Sequence, residues 1–223
     1  GAAAGATLSA LVTATSVGDP TKKDAVKADT TCALTHRLDG LIYNGSTYLG
    51  DEVFNTTGYD QTHSRTVGPN TAAAYLARFY NDGHAADTMK VVGTKGNSAW
   101  QVRYIDYSSG SDITGAVTGT GWTTASVAAA RYAYVRVEVT PLAGAAGNSS
   151  LAALLTAKSV GDGTKKDAVK ATTTCGRTYQ PDGLIYNGAA YIGDGVYNSN
   201  GAGQTYAQTV SLGRTATYQM RFY

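Results

Sequence analysis

The chain has 223 residues, room for one to two domains, with 43% hydrophobic residues and a formal charge of only +2. Charged residues make up 15%, against roughly 25% in an average soluble domain, and Gly, Ala, Ser, Thr and Tyr take their place. This balance gives no electrostatic footprint for nucleic acid or an anionic membrane, and no run of about 18 apolar residues is present to insert into a bilayer.

The first predicted elements are strands at 8–17 and 24–31, joined by a Gly18-Asp19-Pro20 turn. Much of this region returns later: SVGDPTKKDAVKADTTC at 16–32 recurs as SVGDGTKKDAVKATTTC at 159–175, an offset of 143 residues from Cys32 to Cys175. The match runs without a gap in both directions, carrying DGLIYNG from 39–45 to 182–188 and Arg78-Phe79-Tyr80 onto Arg221-Phe222-Tyr223. Residues 1–80 therefore recur as 144–223, and a fixed period of this size marks a tandem array. The apolar opening GAAAGATLSALVTAT recurs as GAAGNSSLAALLTAK, which argues against a cleaved signal peptide.

The two copies define the faces of the strands. Leu8, Ala10, Val12 and Ala14 correspond to Leu151, Ala153, Leu155 and Ala157, a face that stays apolar, whereas Thr15 becomes Lys158. Tyr75, Ala77 and Phe79 match Tyr218, Met220 and Phe222, so the aromatic side faces inward, and Leu76, which becomes Gln219, faces out. Further along, Trp100, Val102 and Tyr104 alternate with polar residues. In YVRVEVT at 134–140, Val135, Val137 and Val139 point one way in a half-buried antiparallel strand. Gly, Pro, Asn and Asp punctuate these runs about every 8 to 12 residues, as at Asn44-Gly45 and Ser109-Gly110. No stretch carries a capped helical period, and the pattern predicts an all-β sandwich of about seven to nine strands.

The phase of the repeat sets the expected domains. The run from 134 to 175 reads as the last three strands of a sandwich, and the polar stretch after each cysteine as a junction. Residues 1–36 are then the closing strands of a preceding or neighbour-completed domain, 37–175 a complete domain, and 176–223 the opening strands of a following one, including 191–196 and 215–223. Incomplete ends expose strand edges, which recruit other strands. They are expected to be completed along one axis, either by further repeats of a longer chain or by strand complementation between subunits. The two ends hold 36 and 48 residues against 139 in the full domain, a shortfall that favours the longer chain.

No catalytic constellation emerges. His36 and His63 fall on Tyr179 and Tyr206, so the repeat does not require imidazole there, and neither zinc-ligand spacing nor a nucleophile elbow occurs. The recurring Asp19/Asp162, Asp24/Asp167, Asp39/Asp182 and Asp51/Asp194 read mainly as turn and strand-end carboxylates. Calcium binding needs six to eight converging oxygens, and Asp39 with Asp51 is the best candidate pair for it. Lys22-Lys23-Asp24 reads as a solvated charged turn. Cys32 and Cys175 hold one repeat position, as free thiols or as cross-links to another chain. Tyr43, Tyr48, Tyr186 and Tyr191 repeat as pairs around Asn-Gly and could pack between domains or stack on sugars.

The segments GNSAWQVRY at 96–104, VRVEVTPLAGAAG at 135–147 and the LLTAKSVGDGTKKDAVKATTT that follows resemble bacterial extracellular immunoglobulin-like repeats of the NEW3 and CARDB types. The resemblance implies secretion, a cell-surface or extracellular location and a stalk, adhesive or filament role. It supplies no catalytic residues and no cofactor. The expected function is a structural segment of an extracellular filament or stalk, partnered by copies of itself. The alternative is an accessory module that presents tyrosines to surface polysaccharide.

Overall fold

A computed structural model describes residues 2 and 5–223 of the chain. These divide into two compact units, Gly1–Arg177 and Thr178–Tyr223.

The larger unit begins with an antiparallel ribbon, β1 (Thr7–Thr15) and β2 (Lys23–Thr31), in register from Thr7 opposite Thr31 to Thr15 opposite Lys23. Next come β3 (Leu38–Tyr43), β4 (Tyr48–Leu49), β5 (Thr62–Val67), β6 (Ala73–Asn81), β7 (Met89–Gly93) and β8 (Trp100–Asp106). After a single helical turn, α1 (Thr114–Val117), follow β9 (Trp122–Thr123), β10 (Tyr132–Pro141), β11 (Ser150–Ser159) and β12 (Lys166–Cys175). One five-stranded sheet has the order β4-β3-β6-β10-β8, the other β5-β12-β11-β7-β9. The fold is all-β, and residues 38–175 form a β-sandwich. Its strands number ten rather than seven to nine, the surplus being the two-residue β4 and β9. Among the described residues no helix is long and apolar enough to cross a membrane.

The alternation read from sequence is what fills the core. Trp100, Val102, Tyr104, Val135, Val137, Val139, Leu155 and Val169 are buried between the sheets, with Leu151 packed at the margin. Each fully buried side chain of this size contributes roughly 1.5–3 kcal/mol through the hydrophobic effect. Tyr104 crosses the core so that its hydroxyl donates to Thr94 O at 2.8 Å. It needs Gly93 beneath it, since a β-carbon there would lie 2.6 Å from the ring tip. One pairing is parallel: β5 runs alongside β12, with Thr62 opposite Lys170 and Val67 opposite Cys175.

The smaller unit holds β13 (Gly183–Tyr186), β14 (Tyr191–Ile192) and β15 (Met220–Phe222), in the order β14-β13-β15. At the repeat offset these fall on β3, β4 and β6. They are shorter than the strands predicted at 191–196 and 215–223. The stretch 205–210, which copies β5, is not a strand at all. The larger unit supplies the reason, because among the described residues β5 pairs there with β12 alone. The smaller unit contains no copy of β12, so the stretch has nothing to pair with.

Candidate assembly interface

The densest polar site in the sandwich is built around Asp167, the second residue of β12, which is fully buried. Its Oδ2 accepts from Gly40 N at 2.6 Å and from Gln61 Nε2 at 2.7 Å. Its Oδ1 accepts from Asn55 N at 2.9 Å and Ala168 N at 2.8 Å. Gln61, also fully buried, donates further to Gly40 O at 2.6 Å and Val53 O at 2.9 Å, and accepts from Asn55 Nδ2 at 2.9 Å. One carboxylate thus ties β12 in one sheet to β3 in the other and to the loop at 50–61. Burial pushes the Asp167 carboxyl up, and the four hydrogen bonds pull against that.

The sequence reads Asp24 as part of a solvated charged turn and Asp167 as a turn or strand-end carboxylate; Asp167 does stand at the start of β12, but buried and fully hydrogen-bonded. The signal was present in the repeat: Asp167, Gly40, Asn55 and Gln61 each have an identical counterpart in the other copy, at Asp24, Gly183, Asn198 and Gln204. The Lys-Lys-Asp context hid it.

The smaller unit rebuilds the same loop without the carboxylate. Asp182 Oδ2 accepts from Gly195 N at 3.0 Å, as Asp39 Oδ2 accepts from Glu52 N at 3.1 Å. Asn198 Nδ2 donates to Ala202 O at 2.8 Å, as Asn55 Nδ2 donates to Tyr59 O at 2.9 Å. Gln204 Nε2 donates to Val196 O, the counterpart of Val53 O. Gly193 and Gly50 share a φ of +103°, a left-handed conformation, and at both a β-carbon would strike the glutamine Cγ. No carboxylate among the described residues of this unit accepts from Gly183 N, Asn198 N or Gln204 Nε2.

The carboxylate at the matching repeat position, Asp24, lies on the ribbon. It is exposed and accepts only from Ala25 N, at 2.9 Å, among the described residues. The whole ribbon is exposed, including Leu8 at 74% and Val12 at 65%, whose counterparts Leu151 and Leu155 pack into or against the core. In the smaller unit Phe222 is 72% exposed, whereas Phe79 is fully buried. A two-stranded ribbon alone is marginally stable in water, and both pieces leave apolar side chains exposed to solvent.

The other sequence candidates are dispersed. Burial pushes Asp39 up to about 7, the Glu52 N–H opposes the shift, and the Asp167, Asp51 and Glu52 charges add to it. Asp39 Oδ1 has no partner. No group of three or more His, Cys, Asp or Glu among the described residues could hold a metal ion. Cys32 and Cys175 are both free thiols; Cys175 is fully buried and Cys32 partly exposed. His36 Nδ1 stands 3.5 Å from Asp87 Oδ2 in a cleft also lined by Arg37, Phe54, Asp82 and His84.

Tyr43 and Tyr48 lie against each other with ring centroids 5.2 Å apart, and Tyr186 and Tyr191 do the same at 5.4 Å. Arg78 lies over Tyr48 at 3.9 Å and over Tyr132 at 4.4 Å, and Tyr132 stacks on Tyr80 at 4.8 Å. Arg221 repeats the motif over Tyr191 and Tyr223 at 4.4 and 4.6 Å.

No protein-family model matches the sequence, and no curated protein matches it. Among solved structures, a family 123 glycoside hydrolase from Clostridium perfringens is 8% identical with a TM-score of 0.39, over 66% of this chain and 28% of its own. PapD-like domain 7 of human CEP192 is 9% identical with a TM-score of 0.31, over 52% of this chain and 80% of its own. AvmM, which catalyses macrocyclization in alchivemycin A biosynthesis, is 8% identical with a TM-score of 0.31, over 66% of this chain and 90% of its own.

Proposed function

We propose that the chain is a structural subunit or segment of an extracellular filament or cell-surface stalk, made of tandem immunoglobulin-like domains joined by strand complementation, and that it is not an enzyme. One observation carries this reading. The chain contains a sandwich in which the β11–β12 hairpin is seated, together with an unseated copy of that hairpin and an unfilled copy of its seat. Low charge and hydroxyl-rich strands suit a passive stalk. Electron microscopy of the native material tests it. Linear particles are expected, with a domain repeat of ~40 Å, since a ten-residue strand is about 33 Å long. Discrete single-domain particles at all concentrations would overturn the reading.

A second reading, an adhesive or carbohydrate-binding module, draws on the row of tyrosines along the β4-β3-β6-β10 face. Sugars stack on free ring faces, and here Arg78 already covers Tyr48 and Tyr132 while Tyr80 stacks on Tyr132. Packing between domains therefore fits these rings better. Saturable binding on a glycan array, lost on Tyr43→Ala, would reverse that order.

A further inference from the structure

The unseated hairpin and the unfilled seat look like fragments too small to make a domain. Together they lack the copies of β7 to β10, the sequence middle of the sandwich. In space those strands are not in the middle. In one sheet β10 and β8 lie outside β6; in the other β7 and β9 lie outside β11. Removing them leaves β4-β3-β6 facing β5-β12-β11, two contiguous three-stranded sheets. The smaller unit supplies the first set and the stretch 205–210, and the ribbon supplies the last two strands.

We propose that the ribbon β1–β2 of one copy of the chain docks on the unit Thr178–Tyr223 of a second copy, in the register that β11–β12 keep with β3 and β5, with the Asp24 carboxylate as the key. The proposal rests on the reading of the chain as an assembling subunit and names the joint. Asp24 accepts from Gly183 N, Asn198 N and Gln204 Nε2, the counterparts at the repeat offset of the Gly40 N, Asn55 N and Gln61 Nε2 that hold Asp167, once the Gln204 amide turns to present its Nε2. At Gly40 a β-carbon would meet Asp167 Oδ2 at 3.2 Å, Phe79 Cε1 at 3.4 Å and Val169 Cγ1 at 3.4 Å; at Gly183 the neighbours are Phe222 Cε1 at 3.0 Å and Gln204 Oε1 at 3.9 Å, so docking moves the exposed Phe222 ring back as Asp24 and Val26 enter. A second polar contact follows, because Tyr75 OH shares a 2.7 Å hydrogen bond with Thr173 Oγ1, and their counterparts are Tyr218 and Thr30. Leu8, Val12 and Val26 gain Phe222 and Met220 as a facing core, all five exposed in the separate pieces. The stretch 205–210 gains the parallel neighbour that makes its copy a strand.

The joint fixes one distance that can be trapped. Lys170 and Thr62 are paired across β12 and β5, so Lys27 of one copy is placed opposite Thr205 of the next. Paired strand positions lie within the Cα range of a disulfide. Two preparations of the chain, both C32S, carry K27C and T205C respectively and are mixed and oxidised. A dimer linked 27 to 205 is expected, while K27C mixed with S109C gives none. D24A on the K27C chain lowers the association constant by roughly ten- to a hundredfold, since it strips a buried, charge-assisted acceptor from three donors. D29A, which alters the outward face of the ribbon, leaves it unchanged.

Cross-linking of K27C to T205C no faster than to S109C overturns the joint, and equal association of D24A and the parent overturns Asp24 as its key. Filaments that form without a 27–205 link would leave the assembly reading intact and sink only this joint. A 27–205 link confined to closed dimers would keep the joint and sink the filament.

Discussion

The Tyr75 hydroxyl meets Thr173 Oγ1 at 2.7 Å inside the sandwich, joining β6 of one sheet to β12 of the other, and also donates to Thr172 O at 2.7 Å. Both side chains are buried, and burial holds the phenol above its usual range, with the Thr173 bond opposing. Tyr75→Phe keeps the ring and leaves the Thr173 hydroxyl and the Thr172 carbonyl without this partner. A loss of about 1–2 kcal/mol is expected in urea unfolding, with the m-value unchanged.

The buried Asp39 sets a pH dependence with a definite sign. Its folded value, about 7, lies above the unfolded carboxylate value of 3.8, so the folded state holds the proton more tightly. Its contribution to stability is complete below the unfolded value and is lost as pH rises through about 7. Asp167 is shifted in the same direction. His63 is lowered by burial and by Arg65, so its own contribution grows with pH and works against theirs. The comparison is therefore with Asp39→Asn, which keeps an acceptor for the Glu52 N–H and cannot ionise. The parent should lose urea resistance between pH 4 and 7 relative to the variant; parallel curves would show that Asp39 titrates normally.

The two thiols should report on the free and seated states of one repeat position. Cys175 is fully buried at the end of β12, whereas Cys32 follows the exposed ribbon. In dilute solution a thiol reagent should label Cys32 promptly and Cys175 only as fast as the sandwich opens. At high concentration Cys32 should become more protected, because docking places it opposite Val210 as Cys175 stands opposite Val67. Equal labelling of both thiols at every concentration contradicts this.

The strands with clean alternation were legible in the sequence because each has one wet face. Val135, Val137 and Val139 in β10, and Trp100, Val102 and Tyr104 in β8, show the period of two without any partner being known. β5 was not legible. Its residues Thr62, His63, Ser64 and Arg65 carry no apolar alternation, and it becomes a strand through pairing with β12, more than a hundred residues away. The Asp167 site was hidden for a related reason. A carboxylate after two lysines has the local signature of a surface turn, and only Gly40, Asn55 and Gln61, brought in by tertiary packing, make burial tolerable. Comparison of the two copies could have exposed it. Glu52 becomes Gly195 and His63 becomes Tyr206, while the four residues of the site stay the same.

Gly193 offers a way to damage the seat without touching the sandwich. Its φ of +103° is strained for any side chain, and a β-carbon would lie 2.7 Å from Gln204 Cγ and 3.0 Å from Gly183 O. The two residues, Gln204 and Gly183, carry the Nε2 and backbone N–H that would donate to Asp24. Gly193→Ala must therefore displace Gln204 or twist the turn, either of which moves Nε2 out of reach of a carboxylate. Because the residue lies in the smaller unit, urea unfolding of the 38–175 sandwich should be unchanged, while self-association measured by sedimentation falls at least as far as in Asp24→Ala. Combining the two substitutions should add little, since both remove the same contact. Additive losses would show that Gly193 and Asp24 serve different surfaces, and an unchanged sedimentation profile would show that the smaller unit takes no part in assembly.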